Sequence, residues 1–352
     1  MPRRVHAVVL GGGPAGAAAA IELARSGREV ALIERGCYER ARVGETLPPE
    51  ARRLLEELGA FARFERDAHV RSPGIISIWG TDAQTVNDFI FNPFGYGWHL
   101  DRARFDRSLA AEAEACGAAL LVDARVVAAR EGTLWCVRGQ ADGRSLDFEA
   151  DWLVDATGRT ALPFGPRRRR RVADRLAAVI GFGRAARAGD GRTVVEAVEA
   201  GWWYAATLPG GRAIATFITD PHLVGRDFCA LFRSTLAATE VARAFLGEVD
   251  DEEISVVECS TWVRVPVAAD GLVAVGDAAS TYDPLSSLGI CKALEGGTRA
   301  ARAIAAGCID EYEAWTASSF ASYLRTRARY YALEARWPDA SFWRLRRVSL
   351  RA

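Results

Sequence analysis

The chain has 352 residues, half of them hydrophobic and 26% charged, enough to bury a sizeable core and too many for one small domain. Its 45 basic and 45 acidic residues cancel, which removes any global electrostatic case for nucleic acid. Seven scattered cysteines with no C-x-x-C pair argue for a reducing compartment, and the absence of a signal peptide or of an apolar run of ~18 residues argues for a soluble, cytoplasmic protein that engages no membrane.

The N-terminus carries the strongest signal. An apolar strand, Val8-Val9-Leu10, runs into Gly11-Gly12-Gly13-Pro14-Ala15-Gly16 and then into a run of good helix formers. Gly11, Gly13 and Gly16 fit G-x-G-x-x-G. The first glycine permits the tight turn, the second lets the backbone approach a pyrophosphate, and the third lets helix and strand pack closely. The helix start offers free N–H groups to the phosphates. A second strand over 29–33 ends at Glu34, 18 residues past Gly16, where an acid accepts both ribose hydroxyls. That acid favours FAD or NAD over NADP.

Residues 42–50 form a rigid, proline-containing turn, followed by a helix from about Pro49 to Leu58. Strand-like runs at 75–80 and 88–92 precede a Gly/Pro/aromatic loop, Asn92–Leu100. That loop is either a satellite cluster or the wall of an aromatic-lined pocket. Asp101 caps a helix over 101–113, on which Arg104 reads by pattern as a solvated residue. Short strands at 120–122, 125–129, 133–137 and 146–150, with hairpin signals at Glu131-Gly132 and Asp142-Gly143, make an antiparallel meander. A buried strand then delivers Asp155-Ala156-Thr157-Gly158.

Five arginines at 167–171 read as a solvated or boundary segment, with an acidic partner as the alternative. Residues 201–220 form a hairpin turning at Pro209-Gly210-Gly211, and its Trp202, Trp203 and Tyr204 point to alternating faces. The strand 272–275 delivers Gly276-Asp277. Asp283-Pro284 and Gly289-Ile290 lead into another helix, so strand, turn and helix start recur. From Ile309 the chain reads as a helical tail packed on the first lobe, with its late arginines solvated or docking a partner.

Three motifs in this order resemble the flavoprotein monooxygenase superfamily, which includes p-hydroxybenzoate hydroxylase, flavin-dependent tryptophan halogenases and geranylgeranyl reductases. They are Gly11–Gly16 with Glu34, Asp155–Gly158, and Gly276-Asp277 with Pro284 and Gly289. The resemblance implies an α/β fold: a Rossmann-like FAD-binding domain of the glutathione-reductase type, an inserted α+β substrate domain of mainly antiparallel strands, and a C-terminal helical tail. The implied division is 1–70, 101–165 and 266–310 for FAD, 71–100 and 166–265 for substrate, and 311–352 for the tail. The implied FAD contacts are Gly11, Gly13, Pro14, Ala15, Gly16, Glu34, Arg35, Arg42, Glu45, Thr46, Arg104, Val126, Gly158, Gly276, Asp277, Pro284, Gly289 and Ile290.

The segments Gly44–Pro49, Asn92-Pro93, Gly97–Arg102, Gly201–Tyr204, Pro284–Ser287, Arg336–Pro338 and Phe342-Trp343 look most like flavoproteins that mature tryptophylquinone cofactors. That likeness implies hydroxylation of a tryptophan in a precursor protein or peptide, with molecular oxygen as co-substrate, through a flavin C4a-hydroperoxide. Electrons would come from NAD(P)H or from a separate flavin reductase. His99 and Asp283 are the acid–base candidates. Trp79, Asn92, Trp202, Trp203 and Tyr204 are the substrate-lining candidates; no metal is expected. The alternatives are a hydroxylase of a free or carrier-bound indole or phenol, and a halogenase. The halogenase is disfavoured because its lysine would fall near residues 70–90, whereas Lys292 is the only lysine here.

Overall fold

The computed structural model describes the chain apart from residues 40, 41, 163–168, 187–190, 248 and 349–352. It opens with β1 (Arg3–Leu10), α1 (Pro14–Arg25) and β2 (Val30–Ile33). The helix expected after the proline turn is shorter, Ala51–Glu57, and Thr46–Leu47 instead form a strand, β3, paired antiparallel with β4 (Gly97–His99). α2 (Arg102–Ala115) begins where expected, the Asp101 carboxylate accepting from the Arg104 amide at 3.0 Å.

The meander Ala124–Glu131, Leu134–Ala141 and β5 (Arg144–Asp155) follows. Asp142 and Gly143, with φ of 48° and 73°, make its two-residue turn. The strands expected separately at 146–150 and before Asp155 are one: β5 begins antiparallel to the meander and ends parallel to β1. β6 (Ala177–Arg184), β7 (Gly201–Leu208) and β8 (Arg212–Thr219) centre a second, seven-stranded sheet. Its order is Ile254–Glu258, β6, β8, β7, Thr193–Val198, Gly74–Ile78, Thr85–Asp88. The strand expected at 88–92 lies earlier, at Thr85–Asp88. The ladder ends at Phe89, whose amide still bonds Pro73 O at 2.8 Å but receives none back because proline has no N–H, and Asn92 N closes a single turn on Phe89 O at 2.8 Å.

β9 (Leu272–Ala274) returns to the first sheet, whose parallel part runs β9, β5, β1, β2, Ala119–Leu121. One face packs on α1, α2 and α3 (Gly289–Ala306), the other on the meander, which is why β1 and β2 are continuous apolar runs. α1 and α3 approach so closely that a Cβ on Gly297 would lie 2.1 Å from Ala15 O.

α4 (Ile309–Leu333) spans both sheets. Tyr312 Oη donates to Ala274 O at 2.9 Å in the first, while Tyr331 joins Phe342 and Trp343 of α5 (Ser341–Val348) against Trp202 in the second. The tail therefore does not pack on the first lobe alone, nor are all its arginines solvated: Arg327 and Arg346 are buried. Of the five consecutive arginines, Arg169–Arg171 lie in a strand, with Arg170 stacked over Trp262 at 4.1 Å; 167 and 168 lie outside the described residues. No helix among the described residues is long and apolar enough to cross a membrane.

Candidate active site

Three turns leave the carboxyl ends of β1, β5 and β9 and converge on one cleft of about 1590 Å³. Ligands of open α/β sheets bind at this edge, outside the strand ends. Gly11 has φ of 107°, and a Cβ there would lie 2.2 Å from Ala156 O. A Cβ on Gly16 would lie 1.9 Å from Gly11 O, so Gly16 packs the helix against the turn and does not itself line the cleft. Gly13 has nothing within 4 Å of its would-be Cβ and opens on the cleft beside Pro14 and Ala15, at the start of α1. A dinucleotide pyrophosphate fits that combination of empty space, helix N-terminus and free amides.

Glu34 closes one end. Its Oε2 accepts from Gly12 N at 2.7 Å, and Oε1 accepts from Gly36 N at 3.0 Å and Arg42 Nη2 at 2.9 Å. Arg42 also reaches Asp106 at 3.3 Å. The β5 turn is held from below: Asp155 is fully buried and takes Thr157 Oγ1 at 2.7 Å, Leu162 N at 3.0 Å and Arg264 Nη1 at 3.0 Å. Gly158 follows it onto the cleft wall. The β9 turn places Asp277 there, paired with Arg159 at 3.3 Å. Gly276, with φ of 57°, packs on Ala15 beneath the cleft. Arg35, Thr46, Val126, Pro284, Gly289 and Ile290 complete the expected set that lines it.

Arg104 does not line it. Its guanidinium turns outward to Asp67 O at 2.8 Å, because α2 rotates Arg102 towards the cleft instead. Arg102 bonds Val43 O at 2.6 Å and Gly44 O at 3.1 Å, fixing the turn before β3. Tyr38 also escaped sequence reasoning: it sits at φ of 61° and donates to Gly12 O at 3.1 Å, and no spacing rule marks it.

The cleft continues onto the second sheet, and here the expected aromatic wall is absent. Ala178, Ile180, Ile214, Thr216 and Ile218 of β6 and β8 line it, with only Tyr204 from the aromatic trio. Trp203 faces the opposite side of the sheet, stacked on Phe217 at 5.2 Å. Trp202 shares the face of Tyr204 but lies further along β7, donating to Tyr331 Oη at 3.0 Å. Trp79 donates to Tyr330 O at 2.8 Å and Asn92 to Glu50 at 2.9 Å; neither lines the cleft. The loop ending at Leu100 is neither a pocket wall nor a satellite cluster: Trp98 and Leu100 belong to the core of the first sheet, Trp98 packing edge-on to Phe64 at 5.2 Å.

Neither acid–base candidate has the freedom such a role needs. His99 is fully buried off the cleft, bonded to Thr193 Oγ1 at 2.8 Å, and burial lowers its pKa to about 4. Asp283 does line the cleft. Its Oδ2 is engaged by Arg327 at 2.9 Å and Tyr331 at 2.7 Å, and its Oδ1 caps Leu285 N at 2.9 Å. At the join of the two halves sits Glu45, 4% exposed, its pKa pushed up to about 7 by burial against the opposing pull of backbone amides and Arg102. Next to it, Thr46 Oγ1 and Tyr204 Oη lie 2.5 Å apart, tying β3 to β7.

Residues 81–351 match the family model described as tryptophan halogenase, and residues 9–41 match an NAD(P)-binding Rossmann-like domain. The chain belongs to the tryptophan halogenase family. Like other members it is an FAD-dependent oxidoreductase. It is 29% identical to LodB of Marinomonas mediterranea, named as an FAD-dependent oxidoreductase, over 97% of this chain and 96% of that one. It is 25% identical to a tryptophan 2-halogenase of Chondromyces crocatus, over 97% and 70%. Its fold superposes on the myxobacterial chondrochloren halogenase CndH with a TM-score of 0.88, at 24% identity over 98% and 86% of the two chains. It superposes on the peptidyl tryptophan dihydroxylase QhpG with a TM-score of 0.80, at 24% identity over 98% and 79%. Halogenases and a hydroxylase thus stand at similar distances within the tryptophan halogenase family, against the expectation that the halogenase branch fits less well.

Proposed function

We propose that this family member hydroxylates the indole of a tryptophan held in a precursor protein or peptide, with FAD, molecular oxygen and electrons from NAD(P)H or a flavin reductase. One observation carries the reading: the cleft is continuous from the dinucleotide turns to an aliphatic slot, and no lysine lines it. Lys292 lies on α3, 3.5 Å from Glu295 and 5.6 Å from the Trp315 ring. At about 1590 Å³ the cleft exceeds the ~1,000 Å³ of the larger single-ligand pockets, so it holds a dinucleotide and a second molecule together. Residues 1–70, 101–165 and 266–310 would form the FAD-binding part, and 71–100 with 166–265 the part that meets substrate.

Bound FAD supplies the oxygen-activating redox chemistry. The chain's residues bind and orient. Gly13 and the α1 amides hold the pyrophosphate, Glu34 a ribose, and Asp277 the chain leading to the ring end. Ile180, Ile214 and Ile218 press on the substrate ring and exclude water. The test is chemically reduced holoenzyme given air, chloride, a tryptophan peptide and free indole, read by mass spectrometry. One oxygen atom gained by the peptide is expected. Chlorine incorporation, or oxygenation of free indole alone, would overturn the peptide hydroxylase reading.

A further inference from the structure

We propose that Glu45 is the base of the cleft, taking the proton that an indole ring carbon must lose after it has gained oxygen. The inference rests on the hydroxylase reading above. Among the described buried acids on the cleft, Glu34 is held by Gly12, Gly36 and Arg42, and Asp283 by Arg327, Tyr331 and Leu285. Glu45 is different: its Oε1 is buried and has no hydrogen-bond partner. Its place is also particular. Gly44, before it, is pinned to Arg102, and Thr46, after it, is pinned to Tyr204 on the second sheet. Glu45 thus lines the cleft where its nucleotide half meets the aliphatic slot, between a fixed neighbour on each side.

The proton balance is simple. Oxygen is the oxidant and two-electron-reduced flavin the reductant; one oxygen atom bonds to the ring carbon and the other leaves as water. The ring carbon then carries both oxygen and hydrogen. Its C–H bond breaks, the electron pair returns to the ring, and an O–H bond forms on the Glu45 carboxylate. That proton passes to water when product leaves. A base works best with a pKa near the working pH, and burial brings this carboxyl to about 7. The groups facing it do not share that range. Burial raises the Tyr204 phenol far above neutral, and His99, across the β3–β4 ladder from Thr46, is held neutral with its pKa at about 4.

The test uses FAD-loaded protein and Glu45→Gln, with Glu45→Asp as the conservative variant. Infrared titration of the wild type should show a protonated carboxyl disappearing through about pH 7, absent from Glu45→Gln. Three probes are assayed: a tryptophan peptide, free indole and a phenol. On whichever the wild type oxygenates, Glu45→Gln should keep its FAD and its reaction with oxygen. Product should fall about 100- to 10,000-fold, with partial recovery in Glu45→Asp. The wild-type rate should rise with pH through the same ionisation, and that of Glu45→Gln should be flat. A titration with no carboxyl near neutrality overturns the assignment, as does a Glu45→Gln enzyme with the wild-type rate and pH profile. Oxygenation of indole but not peptide overturns the peptide reading alone, and the indole data then decide Glu45.

Discussion

Gly13 and Gly16 are three positions apart in one motif, yet substitution should separate them. Gly16→Ala puts a Cβ 1.9 Å from a backbone oxygen, so stability should fall by about 1–3 kcal/mol in a denaturant melt. Gly13→Ala meets nothing in the apoprotein and should melt as the wild type does, while flavin titration shows FAD bound at least about tenfold more weakly. Titration of buried groups gives a second expectation. His69 and His99 are held neutral with pKa values at about 4 against 6.5 in the unfolded chain. The unfolded state binds more protons between those values, so their contribution is complete above about pH 6.5 and is lost as pH falls towards 4. Glu45 works in reverse: its folded pKa of about 7 lies above the unfolded 4.5, so its contribution is lost as pH rises through 7. Melting temperature against pH should lose part of its acid-side slope in His99→Gln and part of its neutral-side decline in Glu45→Gln. The glycine motif could be read from sequence because its spacing is local. His99 could not, because its ring direction is set by the pairing of β4 with β3, between residues about fifty apart in the chain.

Helices α4 and α5 show what pattern reveals and what it hides. Their aromatic residues announce a packed tail, but arginines look alike in a sequence. Arg346 is 2% exposed, bonding Asp174 at 2.9 Å and Asp220 at 2.7 Å, and Arg327 joins Asp174 to Asp283. Arg325 and Arg344, close by in sequence, are exposed. Arg346→Ala strands buried Asp220 and leaves half-buried Asp174 with Arg327 alone, and should cost about 3–5 kcal/mol, whereas Arg325→Ala or Arg344→Ala should stay within about 0.5 kcal/mol, all read by denaturant melts. The same blindness affected β7. Alternation of Trp202, Trp203 and Tyr204 was evident from strand geometry, but both faces are covered, and the position of α5 over one of them decides that Trp202 is core and Tyr204 is cleft.

The two large sheets meet around the cleft, so a ligand spanning it belongs to the folded state alone. FAD should raise the melting temperature with the logarithm of its concentration, by the equivalent of ~2.7 kcal/mol at one hundred times its dissociation constant. A melting temperature indifferent to FAD would remove the cleft as its site. The parallel sheet and its three turns were readable because each is a short, contiguous strand-turn unit. The aliphatic slot was not, since it is assembled from strands that are not consecutive in the chain and whose inward faces only the sheet order defines. One feature bears on biogenesis. Asp283, on the cleft wall, is clamped by Arg327 and Tyr331, and Arg346 of α5 braces the clamp through Asp174. A ribosome emits those residues after every strand that lines the cleft. The nascent polypeptide therefore cannot set this wall until α5 has followed the cleft strands out of the ribosome.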